Sequence, residues 1–177
     1  MPYAVVGYFD KFTDEKIKLL WTGMKDAGVD DYLIRSENNP HFKFAMYKDI
    51  SVNHVEQTLH SITKTIERIP VQFKTYSFYP NEKPFICIDI AVTHLILDLQ
   101  AEIRNKCDQF GTLYDNNYFD QGIWKPDCQL TIHIEKDKLK RSIDFLSNME
   151  LPIDGIVERI GLIEFHPAKQ LFSYTLK

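Results

Sequence analysis

Two short segments concentrate the side chains able to exchange protons or hold an anion. The first is Asn39-Pro40-His41-Phe42-Lys43. The second is Trp124-Lys125-Pro126-Asp127-Cys128-Gln129-Leu130-Thr131-Ile132-His133. On a β-strand, residues i and i+2 point to the same face. His41 would therefore stand beside Lys43, and Asp127 in one row with Gln129, Thr131 and His133. Imidazole, with an ordinary pKa of about 6.5, gives and takes protons near neutral pH. A lysine ammonium contacts phosphate as a point charge, a carboxylate can act as a base, and an amide can donate to a phosphoryl oxygen. Taken singly, each is an ordinary strand-surface residue.

The elements that must position these residues follow from periodicity. Tyr3 to Phe9 is an aromatic and β-branched run and reads as a buried strand. A helix follows, with Thr13 suited to the N-cap, Phe12 stapling onto Ile17, an apolar stripe of Ile17, Leu20, Trp21 and Met24, and Gly28 as its stop. Tyr32 to Ile34 begins a strand. After the break at Glu37 to Pro40, His41 to Tyr47 forms another. Ser51 to Ile69 reads as a helix with Val55, Leu59, Ile62 and Ile66 inward, stopped by Pro70. Val71 to Tyr79 and Phe85 to Val92 are strands around a Pro-Asn-Glu-Lys-Pro turn.

Thr93 caps a third helix that carries Ile96, Leu99, Ile103 and Phe110 to Gly111. The polar loop from Thr112 to Gly122 is the segment expected to move over a binding site. Gln129 to Glu135 is a strand, Asp137 to Met149 a helix with Leu139, Ile143 and Leu146 inward, and Val157 to Phe165 with Gln170 to Leu176 a closing hairpin. Each half thus repeats strand, helix, strand, helix, strand. Two such α+β lobes would face each other across a central cleft.

The residues of that cleft have a family precedent. The segment Pro40-His41-Phe42-Lys43, followed by apolar residues, resembles the first signature of the two-histidine (2H) phosphoesterase superfamily, Pro-His-x-Thr/Ser. Trp124-Lys125-Pro126-Asp127-Cys128-Gln129-Leu130 resembles its second, Trp-x-Pro-His-Cys-Thr-Leu, without a gap. The resemblance covers essentially the whole chain. It implies an α+β, bilobal fold, in which two similar lobes, each an antiparallel sheet with packed helices, surround a central cleft. Residues 1–177 would form one domain with lobe-like halves of about 1–80 and 81–177, the chain crossing between them.

In the family, one histidine is general base, the other general acid, and the hydroxyls bind phosphate. Carried over by position, His41 and Asp127 become the catalytic pair, and Lys43 and Gln129 the substrate-binding pair. A register two residues further on puts Gln129 and Thr131 in the second motif instead, so Thr131 is also a substrate-binding candidate. Three of the four family functional letters differ here, Asp127 among them. The implied function is binding, and hydrolysis, of a nucleotide or RNA phosphoester of the 2',3'-cyclic or 2'-5' kind. The alternative is a catalytically silent relative that binds a ligand or a protein.

Composition sets limits on this picture. The 177 residues are 44% hydrophobic and 26% charged, the balance of an ordinary globular domain. The net charge of -4 argues against an extensive nucleic-acid surface, whose affinity comes from neutralising many phosphates. Cys87, Cys107 and Cys128 are isolated and odd in number, which reads as reduced thiols in a cytoplasmic protein. No leader and no membrane segment is expected. No metal site and no cofactor are expected either, because the sequence has no HxxxH, GxGxxG, P-loop or GxSxG pattern. His54 and His60 fall on a helix, His94 near a helix start and His166 in the closing hairpin turn. Cys128 reads as core.

Overall fold

The computed structural model describes residues 2–36, 38–114, 117–165 and 168–177. The turn position expected for His166, and Asp115 and Asn116 of the Thr112 to Gly122 loop, lie outside the described residues. Strand β1 (Tyr3–Phe9) is buried along nearly its whole length and runs through the middle of the molecule. Helix α1 (Lys11–Asp26) buries Ile17, Leu20, Trp21 and Met24, the stripe its spacing predicts. Its N-cap is Asp10 and not Thr13. Thr13 lies buried in the first turn, where its hydroxyl donates to the Asp10 carboxylate and accepts from the Ile156 amide, so it ties the helix to a strand. Phe12 is 60% exposed beneath the Lys16 ammonium and staples nothing. At the other end Gly28 adopts a left-handed φ of 69°. The Val29 amide then reaches Met24 O and the Gly28 amide reaches Lys25 O, closing the turn with Val29 packed into the core.

Tyr32–Arg35 forms a short helix, α2, where a strand was expected. The Asp30 carboxylate explains it: one oxygen accepts from the Tyr32 amide and the other from the Ile132 amide, which turns the chain and anchors it. Strand β2 (His41–Ile50) and helix α3 (Val52–Thr63) follow. The helix ends six residues before its expected stop, as the Thr63 and Thr65 hydroxyls donate back to His60 O and Ile62 O. Ile69 and Pro70 instead open strand β3 (Ile69–Tyr79), paired with Val157 and Ile156. Strand β4 (Phe85–Ile90) leads into helix α4 (His94–Cys107), whose Thr93 hydroxyl accepts from the Ile96 amide as expected of a cap. A 3-10 turn carries Phe110 on to strand β5 (Gly111–Leu113).

Strand β6 is only Asp127–Gln129, not a run to Glu135. The Leu130 and Thr131 amides converge on the single Ile86 carbonyl, and the ladder ends there. Helix α5 (Leu139–Leu146) is likewise shorter than expected and leaves Ile143 54% exposed, burying Ser142 and Leu146. Strands β7 (Ile153–Glu164) and β8 (Lys169–Thr175) close the chain.

All the strand pairs are antiparallel, in the order β5-β2-β1-β7-β3-β4-β6, with β8 also on β7. Strand β7 serves both halves. Residues 157 to 164 pair with β1 on one edge. On the other edge β3 takes Ile153 to Val157 and β8 takes Arg159 to Glu164. One face of the sheet carries the main core with Val5, Phe9, Phe42, Phe73, Ile88 and Leu162. The opposite face of β1 carries a smaller buried cluster, Ala4, Val6, Tyr8 and Ile163, against which Met46 and Phe165 pack. That second cluster is the floor beneath the candidate site.

Candidate functional site

His41 is the first residue of β2 and pairs with Tyr8 of β1. Its Nδ1 stands 2.8 Å from the Asn39 carbonyl. A carbonyl can only accept, so Nδ1 carries the proton and Nε2 keeps a free lone pair. Burial, with the Lys43 ammonium adding to it and the Asn39 carbonyl opposing, holds the imidazole pKa down to about 4. The ring is therefore neutral at neutral pH and can accept a proton.

Two residues along, Lys43 Nζ donates to Gln129 Oε1 at 3.4 Å, which joins β2 to β6. Two indoles hold those strands in place. Trp124 Nε1 donates to Lys43 O and Trp21 Nε1 donates to Gln129 O, each at 2.9 Å. Between the motifs Cys128 is buried, and that burial pushes its thiol up to about 12, so it stays protonated.

His41, Lys43, Cys128 and Gln129 share a cavity of about 680 Å³. Its walls are largely apolar: Trp21, Leu33 and Ile132 contribute, as do Met46, Ile163 and Phe165. Tyr32, Phe85 and Tyr114 add ring surface, and Glu82, Lys83 and the exposed His133 add charged or polar groups.

The other half is arranged differently. Asp127 pairs with Asp89 of β4, and Cys87 with Gln129. Asp127 Oδ2 accepts from the Tyr79 hydroxyl and, at 2.7 Å, from that of Tyr118. Asp89 accepts from Thr75 and Ser77 and pairs with Lys125 Nζ at 2.9 Å. Both carboxylates are thus engaged by the chain's own donors, and Asp127 does not line the cavity.

No family model matches the chain, and no curated protein matches it in sequence. Solved structures do match in three dimensions. TT0787 of Thermus thermophilus superposes with a TM-score of 0.65 at 12% identity, covering 99% of this chain and 98% of that one. E. coli LigT, solved with 3'-AMP, gives 0.63 at 10% identity and covers 99% of both chains. Usb1 of Kluyveromyces marxianus gives 0.58 at 8% identity, covering 99% and 97%. All three share one fold with this chain over nearly its whole length. The chain has the 2H phosphoesterase fold.

The two segments singled out in the sequence lie on β2 and β6. The structure brings His41, Lys43 and Gln129 to one cavity and turns Asp127 toward two phenols. It does not bring Thr131 there. That residue is fully buried, with its hydroxyl accepting from the Ile86 amide at 2.9 Å, because the chain leaves the strand ladder after Gln129. The register that placed Thr131 at the site is corrected accordingly. Sequence reasoning missed Tyr79, Tyr118, Asp89 and Lys125 as neighbours of Asp127. Strand parity would have found Asp89, which faces the same side as Cys87, but Tyr118 comes from a loop with no periodicity.

Among the described residues, no group of three or more His, Cys, Asp or Glu side chains could hold a metal. No described helix is long and apolar enough to cross a membrane.

Proposed function

We propose that the chain binds the phosphoester of a nucleotide or short RNA in this cavity, as a divergent phosphoesterase of the 2H type. The observation that carries the reading is the fixed tautomer of His41. An imidazole locked through Nδ1, neutral, and two residues from an ammonium is set to accept a proton at Nε2 while Lys43 holds the phosphate. The nucleotide bound to E. coli LigT supports the ligand class. In hydrolysis of a 2',3'-cyclic phosphate, His41 would take the proton of the attacking water. The leaving ribose oxygen would take its proton from solvent, because Asp127 and the phenols bonded to it stand outside the cavity lining.

A second reading has its own supporting observation. The Asp127 carboxylate already accepts two hydroxyl donors, which suits a structural post in a silent relative that binds without turnover.

Assaying the wild type, His41→Ala and the double variant Asp127→His with Gln129→Thr on 2',3'-cyclic nucleotides separates the two. Wild-type turnover that falls about 10²- to 10⁴-fold on losing the imidazole supports the enzyme. An inactive wild type with activity gained in the double variant supports the silent relative. If none of the three binds or opens a cyclic nucleotide, the phosphoester reading is wrong.

A further inference from the structure

Among the described residues only two buried side-chain polar atoms have no hydrogen-bond partner, the hydroxyls of Tyr8 and Tyr76. A phenol left unpaired in a protein interior is costly, and such groups call for an explanation. Tyr8 lies on the cleft-side face of β1, and its ring meets His41 edge-on with centroids 6.0 Å apart. Above the same ring, 5.0 Å from its centroid, stands the guanidinium of Arg159, which pairs with Tyr8 across the β1–β7 ladder. Arg159 Nη1 donates to Ser173 Oγ at 3.3 Å, and no carboxylate pairs with it among the described residues. One row of the sheet therefore holds an imidazole, an unpaired phenol and a guanidinium with donors to spare.

On the phosphoester reading above, we infer that Tyr8 and Arg159, which stand beside the cavity and outside its lining, turn toward a bound phosphate as an anion-binding pair and grip a non-bridging oxygen beside His41. The chemistry follows from what each group offers. Burial keeps the phenol protonated, with Arg159 only partly opposing, so Tyr8 is a donor and not a base. Arginine presents several N–H groups in a fixed plane that matches the oxygens of a phosphate. The half-site across the cleft cannot provide this, because Asp127 and Asp89 are acceptors and Lys125 is held by Asp89.

The test uses inorganic phosphate and 2',3'-cyclic AMP on the full chain. Phosphate should shift the Nε–Hε resonance of Arg159, assigned by its loss in Arg159→Gln. Tyr8→Phe should weaken phosphate binding about tenfold or more, as expected for a hydrogen bond to a charged group. It should also melt no lower than the wild type, since it deletes a hydroxyl that bonds to nothing. A merely structural Tyr8 would leave phosphate affinity unchanged, and that result, or an Arg159 resonance indifferent to phosphate, overturns the pair. Wild type that shifts with phosphate yet ignores cyclic AMP upholds the pair and removes the nucleotide reading.

Discussion

Neutral His41 beside a charged Lys43 has a consequence for stability as well as for chemistry. The imidazole titrates near 6.5 in the unfolded chain and at about 4 in the folded one. Between those values the unfolded state binds more protons, so acidification through that window favours unfolding. The stabilising effect is fully present above about pH 6.5 and is lost as the pH falls toward 4. A single such group contributes a slope of at most about 1.4 kcal/mol per pH unit. His41→Gln should flatten the acid limb of a urea-midpoint series between pH 4.5 and 7, whereas equal slopes would mean that the ring does not titrate as described. At this scale the sequence was legible where a strand's two-residue repeat set His41 beside Lys43, whereas Asp127 shares a strand with Gln129 but not its cavity. It was silent on Tyr8, which reads as one more apolar member of a buried strand. It was silent too on Tyr79 and Tyr118, whose bonds to Asp127 span 48 and 9 residues of chain.

The elements that hold the site do so through two indoles and one helix. Trp21 reaches from α1 to β6 and Trp124 from the loop before β6 to β2, so each grips a carbonyl of a motif strand. Trp21→Phe and Trp124→Phe keep most of the packing but leave a strand carbonyl unmatched. Each should cost about 1–3 kcal/mol in chemical denaturation and weaken ligand binding along with it. A stability loss with ligand affinity intact would show that the indoles support the fold alone. Leu20 sits 4% exposed in the α1 stripe, and Leu20→Ala should cost about 2–5 kcal/mol. An unchanged denaturation midpoint would refute its place in the core. The strongly periodic elements, β1, α1, α3 and α4, were readable because a long apolar stripe or run leaves few alternatives. Their ends were not. Asp10 displaced Thr13 as cap, Asp30 made a helix of Tyr32–Arg35, and the shared Ile86 carbonyl cut β6 short, all through contacts with distant strands or loops.

For the whole molecule, the repeated strand-helix order pointed to two facing half-sheets, and the strands join in one antiparallel eight-stranded sheet, ordered β5-β2-β1-β7-β3-β4-β6 with β8 also on β7. What the repeat could not reveal is that β3 pairs with β4 and with the start of β7, while the rest of β7 returns to β1. Neither half of the chain then owns a complete sheet. A fragment of residues 1–80 should give a collapsed amide spectrum, and mixing it with 81–177 should restore dispersion. A well-dispersed spectrum from 1–80 alone would contradict this account of the pairing. The same strand governs how a guest can enter. One continuous strand, Ile153 to Glu164, is paired on both sides of a bulge near residue 158 and joins the two parts of the sheet, so they cannot swing apart about a linker as two jaws would. Opening must come from side chains and loops at the rim, over a frame that stays shut.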